Sequence, residues 1–390
     1  MSNQQIYLDY AAATPLDSKV LAAMKPYLTE LFYNPSAPYQ PARSVRNNIE
    51  DARSAVARIV GAKPTEIIFT AGASESINLA LGLKGHVVTT AIEHAAVLGA
   101  AKNHGTDCTI VQVNERGRVD PADIKNAIRP TTVIVSVGFV NNEVGIVQSL
   151  KEISKVIKQE RLVRKNNKNE CPIYLHTDAS QAAGVLDLHN ARLGVDLMTL
   201  NGAKIYGPKQ SGILYADTSV SLAPIVHGGG QERGLRSGTE NVAGIIGFAA
   251  ALEIAESKRK TEVSRLQDLR RQFLDILLES FDDIMIIGDQ KHHAPHILTA
   301  AWPGLDAERV LFALEAKNIL VATGSACAAN KDTRSHVLGA LGLDENTIDG
   351  SLRFSFGRQT TSQQVERAAK IIVEVIKQEI ARGKKLEQLS

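Results

Sequence analysis

A chain of 390 residues, 44% hydrophobic and 22% charged, can bury more than one core and has the composition of a soluble globular protein. The 44 basic and 42 acidic residues leave a formal charge of +2, which gives no electrostatic ground for a nucleic-acid partner. No apolar run approaches the roughly 20 residues that span a bilayer, the start MSNQQIYLDY lacks a signal-peptide pattern, and three scattered cysteines form neither a disulfide framework nor a zinc pattern, so a reducing cytoplasm is the expected setting.

Ile6 to Tyr10 is a short strand-like piece running into Ala11-Ala12-Ala13-Thr14-Pro15. Asp17 suits the N-cap of a helix to about Phe32, with Val20, Leu21, Met24, Tyr27, Leu28 and Leu31 at helical spacing and a break or kink expected at Pro26. A second helix is expected over Ala42–Val60. Strands near Ile67–Thr70, His86–Thr90, Thr109–Val113 and Thr132–Val137 then alternate with helices near Ser74–Leu81, His94–Asn103, after Asp120-Pro121 and near Leu150–Gln159. This β-α order predicts an α/β fold with a mostly parallel sheet covered by helices on both faces. Arg161–Glu170, polar and basic without an apolar period, reads as a solvated loop. Helical sequence resumes over Gly244–Lys260 and Glu262–Leu278. Strands follow near Ile284–Ile287, Ile297–Trp302 and Ser351–Phe356, with helices near Ala307–Ala316, His336–Leu341 and from Ser362. That order marks a smaller α+β domain beginning near residue 260.

Between Tyr174 and Pro208 two apolar runs end in polar residues. Ile173-Tyr174-Leu175 leads to Asp178 and Gln181, and Asp196 to Leu200 leads to Asn201-Gly202-Ala203-Lys204. In an open parallel sheet, chemistry gathers outside the carboxyl ends of the strands. An acid after one strand and a lysine after another suit pyridoxal phosphate, whose carbonyl a lysine captures and whose ring nitrogen an aspartate pairs. Two ordinary strand ends with solvated charges are the plain alternative.

Other segments carry weaker signals. Phe69 to Ser76 is a strand, a small-residue turn and a helix start, where unpaired N–H groups and the Ser74 hydroxyl suit an anion or simply an N-cap. His94 could stack on an aromatic cofactor and move protons, or be structural. Asn141, in Val140 to Gly145, could donate to an oxyanion or make a turn. The run from His227 to Thr239 could approach a phosphate or be a flexible connector. Cys327 sits among small and polar residues where nothing would bury a thiol, whereas Cys108 and Cys171 read as inert. Arg353, a charge in an otherwise apolar strand, suits a carboxylate clamp or an edge-strand salt bridge.

Together these segments resemble the cysteine desulfurases of the NifS/IscS type, in the class V aminotransferase group of fold-type-I pyridoxal phosphate enzymes. The resemblance spans nearly the whole chain through YLDYAAATP, FTAGASES, IEHAAVL, VNNEVG, HTDASQ, GAKIYGPK, HGGGQERGLRSGTEN, GSAC and SLRFSFGR, in that order. It implies a large cofactor domain over residues 16–259 with a seven-stranded sheet. Residues 1–15 and 260–390 would form the small domain that carries a mobile Cys327 loop. It further implies a homodimer with sites at the subunit interface.

Carried over by position, Lys204 is the Schiff-base lysine and proton carrier, Asp178 the ring-nitrogen partner and His94 the stacking residue. Gln181 bonds the phenolic oxygen. Ser74 and the backbone at Ala73 hold the phosphate, with Thr239 reaching in from the other subunit. Asn141 and Arg353 hold the substrate carboxylate, and Cys327 takes sulfur from L-cysteine as a persulfide while alanine leaves. The interval from Cys327 to His336 matches the long-loop, IscS-like group, which implies delivery to a scaffold protein for iron–sulfur clusters or to thiolated cofactors.

Three departures stand out. Ala203 replaces the usual phosphate-donating histidine, Asn201 replaces a serine, and the usual NPSSxH reads Asn34-Pro35-Ser36-Ala37-Pro38-Tyr39. A selenocysteine or cystine lyase-like relative and a weakly active sulfur-relay scaffold are the alternative functions.

Overall fold

The computed structural model describes residues 5–104, 107–323 and 334–387. Strand β1 (Ile6–Tyr7) leads to helices α1 (Ser18–Met24) and α2 (Pro26–Thr29), which part at Pro26 as the sequence predicts. In α3 (Gln40–Val60), Val45, Ile49, Ala52, Val56 and Val60 recur every three or four residues and are all buried, so one stripe faces the core. Each large apolar side chain on that stripe contributes about 1.5–3 kcal/mol by leaving water. Gly61, at φ 70°, ends the helix, and a Cβ there would stand 2.4 Å from the His189 ring.

The alternation then runs β2 (Ile67–Thr70), α4 (Ala73–Leu81), β3 (His86–Thr90), α5 (Ala95–His104), β4 (Asp107–Val111), α6 (Pro121–Ala127) and β5 (Thr132–Ser136). It continues through α7 (Leu150–Asn166), β6 (Tyr174–Asp178), α8 (Asn190–Leu193), β7 (Leu197–Asn201) and β8 (Gly212–Ala216). These strands form one seven-stranded sheet in the order β2-β8-β7-β6-β5-β3-β4. All pairs are parallel except those of β8, which runs against both β2 and β7. The sequence reading has no strand at β8. Ile67 and Phe69 of β2 point into one core, with α3, and Ile68 into another, with α4 and α5. That period of two puts helices on both faces.

Beyond the sheet, α9 (Val242–Ser280) is one unbroken helix of 39 residues where the sequence reading has two adjoining segments. It leads to β9 (Met285–Ile286), β10 (Ile297–Ala301), α10 (Ala307–Ala316), β11 (Ile319–Leu320) and β12 (Ala322–Thr323), then α11 (His336–Ala340), α12 (Glu345–Asp349), β13 (Ser351–Ser355) and α13 (Ser362–Glu387). A four-stranded sheet, β12-β13-β10-β9, is antiparallel throughout, and β1 pairs in parallel with β11. A separate core forms here from Ile6, Leu8, Phe273, Trp302, Phe354 and Phe356 among others. No helix among the described residues is long and apolar enough to cross a membrane.

Two expectations need correction. Residues 161–166 complete α7 instead of forming a solvated loop, and Arg164 is only 4% exposed. Its guanidinium donates to the carbonyls of Arg129, Thr132, Cys171 and Pro172, so the cation clamps the entry to β6. Second, β13, which carries Arg353, is flanked by β12 and β10 and is not an edge strand.

Candidate active site

The chain segments that leave the carboxyl ends of β2, β3, β5, β6 and β7 open onto one cavity of about 210 Å³. Ser74, His94, Asn141, Asp178, Lys204 and Arg353 all line it, as do Ala73, Gln181 and Asn201. A cavity at the carboxyl edge is where this sheet architecture puts ligands.

The lysine follows directly from β7. Asn201 closes the strand by accepting the Ala203 N–H at 3.1 Å, which starts the 3₁₀ turn Gly202–Lys204. Lys204 Nζ donates to the carbonyls of Ala11 (2.9 Å) and Ala12 (2.6 Å), so the N-terminal segment forms the wall against which the amine rests. Thr14 ties the two together, since its hydroxyl donates to Ala203 O at 3.0 Å and accepts the Tyr206 N–H at 2.8 Å. Tyr206 is left-handed at φ 64°, a conformation that costs a non-glycine residue about 1–3 kcal/mol. Its hydroxyl accepts the Arg358 N–H at 2.6 Å, and the Arg358 guanidinium lies 4.3 Å over its ring.

Asp178 ends β6, and its Oδ1 accepts the Ser180 N–H at 2.9 Å. Two residues earlier His176 is fully buried between Ser136 Oγ (2.8 Å) and Thr199 Oγ1 (3.1 Å). Burial pushes its pKa down to about 3, so it stays neutral and ties β5, β6 and β7 together behind the acid.

His94 opens α5 by accepting the Ala96 N–H on Nδ1 at 3.1 Å. Its ring is exposed to the cavity but enclosed by protein on its other sides. That enclosure lowers its pKa, Asp178 opposes the shift, and Lys204 and His336 reinforce it. The adjacent Glu93 is buried and accepts from the Thr90 hydroxyl (2.6 Å) and the Gly138 N–H (2.9 Å). Burial pushes its pKa up to about 7, the Thr90 and Gly138 bonds oppose this, and the Asp178 charge adds to it.

The start of α4 is built to leave N–H groups free. Gly72 precedes it at φ 130°, a region open to glycine, and no side chain caps the first turn. Gly212 of β8 permits the approach, because a Cβ there would meet Gly72 Cα at 2.8 Å. Thr70 and Ser76 share a hydrogen bond at 2.8 Å, and Glu75 accepts the Ala71 N–H at 2.6 Å while pairing with Arg236 at 2.9 Å.

On the opposite wall, Arg353 donates to Asp9 (2.6 Å) and to the Asn142 carbonyl (3.0 Å). The Asn141 amide is largely engaged in its own turn. It donates to Ile92 O at 2.7 Å and accepts from the N–H groups of Glu143 and Val144 at 2.9 Å. Asn141 thus makes the turn, and it also borders the cavity. Gln181 donates to Ala11 O at 2.9 Å.

Thr239 is exposed and lies outside the cavity lining within this chain, and Cys327 lies outside the described residues. Cys108 is half-buried, and burial raises its thiol pKa, which agrees with an inert thiol. The glycine-rich run is firmly anchored, not a loose connector: Glu232 accepts both terminal nitrogens of Arg53 (2.7 and 2.8 Å) and the Phe69 N–H (2.9 Å). Sequence reasoning missed Glu93, His176, Glu232 and His296, because each acts through a partner far away in the chain. For Glu93, His176 and His296 the available signal was a charge or imidazole beside an apolar run; Glu232, in a polar glycine-rich run, gave none.

These residues fit pyridoxal phosphate. An amine and a carboxylate share the cavity with an uncapped helix start. Ser180 Oγ and Arg353 Nε, both buried, have no hydrogen-bond partner among the described residues, so the wall keeps polar groups for a polar guest to satisfy.

Comparison with known proteins agrees. The aminotransferase class-V family model matches residues 6–368. The cysteine desulfurase IscS of Dictyoglomus turgidum is 38% identical over 384 residues, covering 96% of this chain and 95% of that one. A solved NifS-like protein superposes with a TM-score of 0.87 at 32% identity, over 96% of this chain and all (100%) of the other. The structure of SspA in complex with cysteine gives a TM-score of 0.76 at 33% identity, over 90% of this chain and 99% of that one. This chain thus belongs to the class-V aminotransferases, as a pyridoxal phosphate-dependent member of the cysteine desulfurase group to which the NifS and IscS proteins belong.

Proposed function

We propose that the protein converts L-cysteine to L-alanine and retains the sulfur as a persulfide on Cys327. The observation that carries this is the shared cavity of Lys204, Asp178 and Arg353, in a chain of the desulfurase group. Lys204 would hold the cofactor through its carbonyl, Asp178 would keep the ring nitrogen protonated, and His94 would stack on the ring. Gln181 would donate to the phenolic oxygen. Ala73, Ser74 and Asn201 would receive the phosphate at the uncapped start of α4. When bound, pyridoxal phosphate supplies an electron sink that makes loss of the substrate Cα proton and of the β-sulfur accessible.

Arg353 and Asn141 would orient the substrate carboxylate, with Asp9 and the Asn142 carbonyl fixing the guanidinium. Lys204 would carry the Cα proton. The substrate Cβ–S bond breaks as sulfur transfers to the Cys327 thiolate, and Cβ gains hydrogen, so cysteine and one thiol become alanine and one persulfide without an external oxidant. The cysteine held by the related SspA supports this substrate.

Thr239, exposed within one chain, fits a role at a second subunit's phosphate, and we read the protein as a homodimer. The small domain would comprise residues 1–15 and 260–390, and the separate core of Ile6, Leu8, Phe273 and Phe354 supports that division. Delivery to an iron–sulfur scaffold or another acceptor in the cytoplasm completes the reading. The purified protein should show the visible absorption band of lysine-bound cofactor and form alanine from cysteine. Cys327→Ala should keep the band and lose cysteine desulfuration. Undiminished alanine formation from cysteine would reject persulfide transfer through Cys327, and surviving selenocysteine cleavage alone would favour the lyase alternative.

Ala203 removes one expected phosphate donor. A hydrogen bond to a charged group contributes roughly 1.5–3 kcal/mol, or about ten- to a hundredfold in affinity. Ala203→His should therefore bind pyridoxal phosphate about ten- to a hundredfold more tightly, measured by equilibrium dialysis. Equal dissociation constants would mean that Asn201 or another group already compensates.

A further inference from the structure

His296 stands just before β10 and belongs to no motif in the sequence. It is 9% exposed, and its Nε2 lies 3.4 Å from Gln181 Oε1. Its Nδ1 has no hydrogen-bond partner among the described residues. An imidazole whose Nδ1 is bare and whose Nε2 faces an amide oxygen is the neutral Nε2–H tautomer, acting as a donor. Burial, reinforced by the Arg353 charge, pushes its pKa down to about 4, so it keeps this form at neutral pH.

Gln181 has two ways to place its amide, and its surroundings favour one. On one side the Ala11 carbonyl is an acceptor and demands the –NH₂ group, at 2.9 Å. Lys204 Nζ donates to the same Ala11 oxygen at 2.9 Å. On the other side His296 offers a donor and demands the oxygen. Rotating the amide by half a turn would set oxygen against oxygen at Ala11, and at His296 it would either oppose two N–H groups or move the imidazole proton to Nδ1, which has no acceptor among the described residues. At 3.4 Å the imidazole contact is long for an N–H···O bond. Its effect is therefore orientational more than energetic. The retained orientation spends one hydrogen of the –NH₂ on Ala11 and leaves the second for the cavity that Gln181 lines.

We infer that His296 is a positioning residue that fixes the Gln181 amide so that an N–H, and not the carbonyl oxygen, is offered to an oxyanion in the cavity. This rests on the proposed cofactor reading, in which that oxyanion is the phenolic oxygen. Its consequence is a site biased toward the anionic oxygen, which lowers the pH at which the bound cofactor changes colour.

The test is a spectral pH titration of the holoenzyme. His296→Leu removes the donor on the oxygen side and leaves Ala11 as the only partner among the described residues that orients the amide. It should raise the midpoint of the visible transition by up to about one pH unit, the limit set by loss of one hydrogen bond to a charged oxygen. His296→Gln, which restores an amide donor, should bring the midpoint back toward that of the parent. Gln181→Leu should shift it at least as far, and adding His296→Leu should then have no further effect. An unmoved midpoint in folded, coloured His296→Leu, or additive shifts in the double variant, would overturn the inference. If His296→Leu does not fold, the same decision comes from His296→Gln and His296→Asn: an unchanged parental midpoint in His296→Gln supports the donor role only if His296→Asn, whose shorter arm loses the contact, raises it. A colourless parent protein would instead defeat the cofactor reading itself.

Discussion

Lys204→Ala is expected to abolish cysteine turnover, lowering the rate by at least about 10⁴-fold, while leaving the fold intact. General acid–base transfer alone contributes roughly 10²–10⁴, and this variant also loses the covalent hold on the cofactor. The backbone of the turn should survive, because it is set by the Asn201 cap, by Gly202 and by the two Thr14 hydroxyl bonds, none of which uses the lysine side chain. Gly202 is required there because a Cβ would stand 2.3 Å from Ser211 Oγ. Single-turnover alanine formation and a thermal melt measured on the same preparation decide the matter. Turnover within tenfold of the parent would remove Lys204 from the chemistry, whereas loss of the native melt would show that the amine's bonds to Ala11 and Ala12 support the fold.

Arg53→Ala is expected to cost about 3–5 kcal/mol of stability, since it strands the Glu232 carboxylate in the interior. The pair is bidentate, with side chains 7% and 4% exposed, and the guanidinium also lies 4.8 Å over the Phe69 ring. The exposed pair between Arg58 of the same helix and Glu253 of α9 is the internal control. Its side chains are 74% and 49% exposed, so Arg58→Ala should cost under about 1 kcal/mol. Urea unfolding of both variants gives the comparison, and equal losses would contradict it. Because Glu232 and its neighbour Arg233 hold left-handed backbone at φ 47° and 60°, losing the anchor should also release the glycine-rich run that leads to Thr239.

Much of the alternation is legible because strands buried on both faces read as unbroken apolar runs. His86–Thr90 and Ala307–Ala316 have the expected bounds. The strand β8 is missed although Ile213, Leu214, Tyr215 and Ala216 form an apolar run of the same kind, because the Gly212 that opens it weakens a strand reading; that glycine is needed for contact with Gly72, far away in the chain. Arg161–Asn166 reads as solvated because basic residues have no apolar period, yet Arg164 is buried by the carbonyls that it satisfies. A hydrogen-bonded cation and a solvated one look alike in sequence. The lysine, the acid and the helix start are legible as strand-end chemistry. Their supports are not: Asp9 on Arg353, His296 on Gln181 and Arg53 on Glu232 each join residues more than a hundred positions apart.

The same long reach governs the order in which the protein can be built. Ile6 pairs with Ile319 and Tyr7 with Leu320, and the Ala11 N–H donates to Ser355 Oγ at 2.9 Å. Residues 6 to 11 must therefore wait for residues 319 to 355 to be made before they can settle. Until then the carbonyls of Ala11 and Ala12 have no fixed place from which to meet the lysine. Domains generally fold as units during synthesis, but contacts distant in sequence form late. A nascent chain can thus assemble its seven-stranded sheet well before it has a finished pocket, and a settled home for the coenzyme waits on the synthesis of Ser355.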